Sequence, residues 1–82
     1  GRDEDFEVSF KVAGEDRPNL LFEMIKVINS LNINLSYIEI KSENSIATGS
    51  FTGRVKNLGH FIRLRKKLFS LNSILSIERI IQ

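Results

Sequence analysis

Apolar residues recur along this chain with two different periods, and the order of those periods restricts the fold more than any other feature. The segment "FEVSFKV", residues 6–12, alternates apolar and polar residues, which predicts a half-buried strand. From Leu20 to Leu31 the apolar residues lie three and four positions apart, which predicts an amphipathic helix. The chain then repeats this succession, so the predicted order is strand, helix, strand, strand, helix, strand.

This order predicts an α+β fold, the ferredoxin-like βαββαβ sandwich. Two strand–helix–strand units with right-handed crossovers interleave into a four-stranded antiparallel sheet of order 4-1-3-2, with two helices on one face. The remaining strands are predicted at residues 33–42, 46–56 and 74–81. Residues 1–5, "GRDED", form a flexible lead-in, and residues 6–82 form the domain. Because the sequence begins with Gly1 rather than Met, we expect a module of a longer protein.

Composition narrows the function classes. The 82 residues suffice for one domain, and the net charge of +2 is weak evidence for an anionic partner. There is no cysteine, which excludes disulfides and thiolate chemistry and is consistent with a cytoplasmic location. No apolar run approaches a membrane span and no signal peptide is present, so no membrane partner is expected.

Several residues are expected in particular positions at the ends and on the faces of the helices and strands. Asp16 is expected to cap the first helix, with Pro18 in its first turn, and Asn32 and Asn44 are expected in left-handed conformations. Asn57 is expected to cap the second helix. The buried stripe of that helix is predicted to comprise Leu58, Phe61, Leu64, Leu68 and Leu71. Its solvent-exposed face is predicted to comprise His60, Arg63, Lys66 and Lys67. Gly49 and Gly53, on the inner face of a strand, predict close approach of a packed helix.

Catalysis and cofactor binding find no support in the sequence. The single histidine, His60, is expected on the exposed side of a helix, away from any serine with an orienting acid. Glycine-rich phosphate-binding patterns are absent, and no metal site or cofactor is predicted. The uncovered sheet face is expected to be polar, because Phe6, Phe10 and Phe51 have the parity of the core. Stacking of RNA bases on that face is therefore disfavoured.

One basic run leaves two interpretations open. Arg63, Arg65, Lys66 and Lys67 lie toward the C-terminus of the second helix, where cations interact favourably with the exposed carbonyl groups. A solvated helix face explains them. The alternative is a phosphate-contacting patch for ribosomal RNA, whose binding would weaken with added salt.

The segment "GEDRPNLLFEMI", residues 14–25, raises the question of a small-molecule pocket. The first turn of a helix offers unpaired N–H donors suited to a carboxylate. Asn32, Asn34 and Ser36, at the start of the second strand, are expected to lie beside this turn. Together these groups form a possible site for the amine and carboxylate of an amino acid.

Residues 12–41, "VAGEDRPNLLFEMIKVINSLNINLSYIEIK", resemble the opening half of an ACT domain, which has an acid–Arg-Pro-Gly turn, paired leucines and an Asn entering the second strand. Asn19 replaces the usual glycine. Residues 57–80, "NLGHFIRLRKKLFSLNSILSIERI", are similar to the C-terminal ACT domain of the long RelA/SpoT-type enzymes that make and hydrolyse (p)ppGpp. The matching residues are Asp16, Arg17, Pro18, Leu20, Leu21, Asn34 and Leu35 in the first segment and Leu64, Leu68, Leu71, Ile74, Ile77, Glu78 and Arg79 in the second.

The resemblance implies a non-catalytic regulatory domain of a GTP pyrophosphokinase or (p)ppGpp hydrolase, acting in the stringent response. It implies a homodimer through ACT–ACT contact, amino-acid binding, or engagement of the ribosome by the full-length parent. The ligand contacts it implies are Asp16, Arg17, Asn19, Leu20 and Asn34. Self-association is expected through the irregular second strand, whose apolar residues occupy both faces, at Leu35, Tyr37, Ile38 and Ile40.

Overall fold

The computed structural model describes residues 5–81 and contains the six predicted elements in the predicted order. Their bounds are β1 (Phe6–Glu15), α1 (Leu20–Ser30), β2 (Leu35–Glu43), β3 (Ile46–Val55), α2 (Leu58–Phe69) and β4 (Ile74–Ile80). The antiparallel sheet has the order β2-β3-β1-β4, which is the predicted order 4-1-3-2 counted from the other edge. The ferredoxin-like fold is thus confirmed. Most of the predicted flexible lead-in, residues 1–4, lies outside the described residues.

The core lies between the helices and one face of the sheet. Phe10, on the central strand β1, is fully buried and stacks on Phe51 of β3, with 5.4 Å between the ring centroids. The ring of Phe61, from α2, meets the ring of Phe10 edge-on at 5.8 Å. Phe10 and Phe51 therefore point inward, as their parity predicts. The opposite face of β1 and β3 is polar, and there Ser9 and Thr52 share a hydrogen bond of 2.9 Å between their hydroxyl oxygens.

β2 is irregular because it contains a bulge. Its pairing with β3 shifts between Leu35 and Tyr37, so that Tyr37 lies opposite Thr52 while Leu35 lies opposite Gly53. An extra residue at this point reverses the facing of every side chain that follows. Tyr37 consequently lies on the open face, and Ile38 and Ile40 lie on the helix side, opposite Phe51 and Gly49.

Gly49 and Gly53 lie close to core side chains and to the backbone before β2, not to a helix. A Cβ atom at Gly49 would lie 2.7 Å from the Phe51 ring and 3.2 Å from Ile40. At Gly53 it would lie 3.0 Å from the backbone oxygen of Asn34, in the segment that leads into β2. The prediction of helix packing at these glycines was therefore wrong. They make room for a core ring and for the bulged start of the neighbouring strand.

The start of α1 also differs from the prediction. The helix begins at Leu20, its N-cap residue is Asn19, and no side-chain hydrogen bond caps it within the described residues. Asp16 does not act as the cap, because its carboxylate accepts a hydrogen bond from the Ser42 hydroxyl instead. Pro18 accordingly precedes the helix. Asn32 and Asn44 do adopt positive φ angles, of 60° and 54°, as predicted.

α2 confirms one prediction and corrects two. The Asn57 side chain accepts a hydrogen bond of 2.8 Å from the backbone N–H of His60, which makes it the predicted cap. His60 is buried rather than exposed, with 4% of its surface accessible, and Leu58 is exposed rather than buried. Neither helix of the described part is long and apolar enough to cross a membrane.

Candidate functional site

The loop between β1 and α1, residues 16–19, is fastened to the hairpin that joins β2 to β3. The backbone N–H of Asp16 donates a hydrogen bond of 2.9 Å to the carbonyl oxygen of Ser45. On its other side, the Asp16 carboxylate accepts from the hydroxyl of Ser42, near the end of β2. Asp16 thereby links the loop to the edge strand of the sheet.

Arg17 fastens the same loop to the turn between α2 and β4. Its guanidinium donates a hydrogen bond of 2.9 Å to the carbonyl oxygen of Asn72, and its Nε donates one of 3.2 Å to the Ser73 hydroxyl. It also forms a two-pronged ion pair with Glu23, at 2.9 and 3.3 Å. The hydrogen bond from Arg17 holds the pKa of the Glu23 carboxyl below its ordinary value. The N–H donors of the Arg17 side chain are thus already engaged by groups of the same chain.

This ion pair predicts an acid-dependent loss of stability. Since the pKa of Glu23 is lowered by folding, its contribution is present at neutral pH and disappears as the pH falls through that lowered pKa. We expect the melting temperature of the wild type to fall more between neutral pH and about pH 3 than that of Glu23→Gln. Thermal unfolding by circular dichroism measures both. Glu43→Gln, which alters an exposed carboxylate of β2, serves as the control and should keep the wild-type slope; identical slopes for wild type and Glu23→Gln would contradict the prediction.

Asn19 occupies a position that requires a left-handed backbone. Its φ is 70°, a region that glycine adopts freely and asparagine tolerates better than most residues. This explains why asparagine can replace the glycine of the pattern described above. The side chain of Asn19 is exposed, whereas Leu20 is buried in the core. Of these two predicted ligand contacts, only Asn19 presents its side chain to solvent.

Asn34 does not lie beside this loop in the same chain. Glu43, at the end of β2, is aligned through Ile46 with Glu15, whereas Leu35 is aligned through Gly53 with Val8. These two alignments mark opposite ends of the sheet, roughly 25 Å apart for a strand of this length. The expectation that Asn32, Asn34 and Ser36 would flank the start of α1 was therefore wrong within one chain. The connection through α1 returns the chain to the end of the sheet where β1 began.

The edge strand β2 carries exposed apolar side chains. Among the described residues, β2 pairs only with β3, so its other side offers free backbone groups. Tyr37, Ile38 and Ile40 are between 38% and 51% exposed, whereas Leu35 is half-buried. The negative charge of Glu39 raises the pKa of the Tyr37 phenol above its ordinary value. An edge with such residues can accept another strand.

The basic residues of α2 all lie on the surface. Arg63, Arg65, Lys66 and Lys67 are exposed, and the guanidinium of Arg65 lies over the ring of Phe69, 5.2 Å from its centroid. Lys66 and Lys67 are in the last turn, where the helix dipole favours them. Within residues 5–81, no group of three or more His, Asp or Glu side chains is placed to hold a metal ion.

Comparison with known proteins decides the family. A family model described as the ACT domain matches residues 2–79. The chain belongs to the ACT-domain family. The crystal structure of the ACT domain from GTP pyrophosphokinase of Chlorobium tepidum is similar to it, with a TM-score of 0.85 and 25% identity, covering 94% of this chain and 100% of that one. The solution structure of that ACT domain gives a TM-score of 0.84 and 24% identity, covering 95% and 89%.

A similar fold also occurs as part of a protein of another kind. A homoserine dehydrogenase from Thiobacillus denitrificans matches 95% of this chain with 17% of its own, at a TM-score of 0.75 and 13% identity. That likeness concerns the fold alone.

In this ACT domain, the hydrogen-bond partners of the β1–α1 loop that the sequence did not reveal are Ser42, Ser45, Glu23, Asn72 and Ser73. Most of them lie more than 20 positions from the loop, so no local pattern could have identified them.

Proposed function

We propose that this ACT domain regulates a GTP pyrophosphokinase or (p)ppGpp hydrolase by pairing with a second copy through β2. The similarity to the Chlorobium tepidum domain supports the class of parent enzyme. The observation that carries the pairing is the apolar, unpaired edge of β2 in the described residues. In this proposal the domain performs no chemistry itself, and its state of association controls alarmone metabolism in the parent.

An antiparallel register centred on Ile40 fits the side chains of β2. It sets Ile40 of one copy opposite Ile40 of the other on the helix side, where the two copies bury each other's exposed side chains. On the open face, the same register sets Glu39 of each copy opposite Lys41 of the other, so that unlike charges meet. No like charges meet at these central positions. The pairing extends the sheet from four strands to eight.

Sedimentation velocity from micromolar to millimolar protein tests the pairing. We expect the wild type to shift from monomer to dimer as the concentration rises. Ile40→Lys, which would place two lysines together at the centre of the interface, should remain monomeric. Leu75→Lys is the matched control, because Leu75 is a similarly exposed apolar residue on the opposite edge strand, β4. A wild type that stays monomeric at millimolar concentration, or a Leu75→Lys variant that alone loses the dimer, would contradict the proposal.

A second candidate function, amino-acid sensing, follows from the same pairing. Because the strands run antiparallel, Asn34 of a second copy comes to the end of β2 where Ser42 and Ser45 hold Asp16. Pairing of two copies would thus bring together Asn34 and the β1–α1 loop, which lie far apart within one chain. Arg17 is engaged by Glu23, so the N–H groups of the first turn of α1 and the two asparagines, Asn19 and Asn34, would bind the carboxylate and amine.

Titration with individual amino acids, followed by NMR chemical shifts, tests this second function. A ligand should shift resonances of the β1–α1 loop and of Asn34, and Asn19→Ala or Asn34→Ala should weaken its binding. Asn29→Ala, at an exposed position of α1, is the control. No shifts with any amino acid at millimolar concentration would reject sensing by this chain, while the sedimentation result would still decide the pairing.

A further inference from the structure

Helix α2 carries a second apolar row outside the core. Leu58, Ile62 and Phe69 are separated by four and seven positions, so they lie along one line of the helix surface. Between 41% and 56% of the surface of each is accessible. The row spans eleven positions, about 16 Å along the helix axis. The buried residues Phe61, Leu64 and Leu68 form a different line that faces the core.

The exposed row lies on the side of α2 that faces away from α1. His60 faces α1, because its Nε2 atom is 2.8 Å from the carbonyl oxygen of Leu31 at the end of that helix. Leu58 precedes His60 by two positions, a rotation of about 200° around the helix. The row is therefore turned away from the helix pair and from the β2 edge, since α2 packs against β4.

The charged side chains of α2 itself have one sign. α2 contains four basic residues and no acidic residue. Arg65 lies in the row, between Ile62 and Phe69, with its guanidinium over the Phe69 ring at 5.2 Å. Lys66 follows immediately beside it. Two copies pairing along this row would bring cations together, which disfavours a second copy as the occupant.

We infer that this surface, the α2 flank (Leu58, Ile62, Arg65, Lys66 and Phe69), docks an acidic amphipathic helix of a protein partner. The partner's apolar residues, at spacings of three and four, cover Leu58, Ile62 and Phe69, and its carboxylates pair with Arg65 and Lys66. A nucleic acid would use the cations and leave the three apolar side chains uncovered. The contact is independent of the β2 pairing proposed above, since it uses another side of the molecule.

Designed peptides provide the probe. The first is a helical peptide of about 14 residues, four turns, with leucines along one line and glutamates elsewhere. The second has the same composition with its leucines distributed around the helix. Titration followed by NMR should give saturable shifts at the α2 flank, with the first peptide binding at least about tenfold more tightly than the second.

Variants separate the apolar part from the charges. Ile62→Asp should weaken binding of the first peptide by about tenfold, and Phe22→Asp, at an exposed phenylalanine of α1, should leave it within about twofold. Arg65→Glu should lose the acidic peptide and bind one in which lysines replace the glutamates. All three altered residues are exposed, so each variant should fold. A dispersed NMR spectrum of each variant checks this.

Four outcomes would overturn the inference. The first is an absence of chemical-shift changes at millimolar peptide, and the second is equal binding of both peptides. The third is RNA binding that competes with the peptide and is unchanged in Ile62→Asp. The last is broadening of α2 resonances with protein concentration alone, which would identify a second copy as the occupant. The RNA result would instead assign the basic residues to phosphate contacts.

Discussion

Replacing Phe10 with alanine is expected to lower the free energy of unfolding by about 3 to 5 kcal/mol. Phe10 is fully buried on the central strand and contacts the rings of Phe51 and Phe61, so it joins β1, β3 and α2. Its removal leaves a cavity that the two remaining rings can fill only in part. In a domain of this size the loss is a large part of the total stability.

Urea denaturation and thermal melting measure this effect. For a domain below a hundred residues, the expected loss corresponds to a fall in melting temperature of about 12 to 40 °C. Phe22→Ala is the matched control, because Phe22 is an exposed phenylalanine whose ring contacts only the Lys26 cation, at 5.8 Å, among the described aromatic and cation–π pairs. The control should change the free energy of unfolding by no more than about 0.5 kcal/mol. A Phe10→Ala variant as stable as the control would contradict the assignment of the core.

His60→Ala is expected to lower the free energy of unfolding by about 2 to 4 kcal/mol. The Nδ1 atom of His60 accepts a hydrogen bond of 3.0 Å from the backbone N–H of Lys56, so the proton is on Nε2 and is donated to the carbonyl oxygen of Leu31. The ring thus joins the start of α2 to the end of α1. Alanine removes both hydrogen bonds and most of the buried volume.

Two conservative variants separate these contributions. Asparagine at position 60 can place an oxygen near the Nδ1 position and keep the bond from Lys56, whereas glutamine can place its amide near Nε2 and keep the bond to Leu31. Each should recover part of the loss, measured by urea denaturation. Arg63→Ala, at an exposed position of the same helix, should change stability by no more than about 0.5 kcal/mol. If His60→Ala matches Arg63→Ala, the ring does not join the helices.

The fold was predictable because its determinants are local and periodic. The parity of Phe6, Phe10 and Phe51 identified the core face of the central strands, and the alternation of periods gave the order of elements. Asn32 and Asn57 were identified because asparagine tolerates a left-handed backbone at the end of a helix and can cap the start of a helix with its side chain. These signals need no knowledge of which distant residues meet.

Two of the errors arose where a distant residue engages a side chain. Asp16 has the chemistry of a helix cap, but Ser42, 26 positions away, occupies its carboxylate. His60 has the polarity of a surface residue, but the carbonyl group of Leu31, 29 positions away, gives its ring a buried partner. Leu58 has the chemistry of a core residue, yet it faces away from α1. Local periodicity cannot report such long-range contacts.

The β1–α1 loop contacts two other parts of the fold. Asp16 links the loop to the end of β2, and Arg17 links it to the turn that follows α2. We propose that a ligand bound at this loop changes the edge of β2 through the contacts of Asp16.

Hydrogen exchange of the β2 backbone amides, measured by NMR at several protein concentrations, tests the pairing most directly. We expect the outward-facing amides of Leu35–Glu43 to exchange freely in dilute solution and to become protected as the concentration rises, while those of β4 do not change. Outward amides of β2 that remain unprotected at every concentration, or protection that develops along β4 instead, would contradict it.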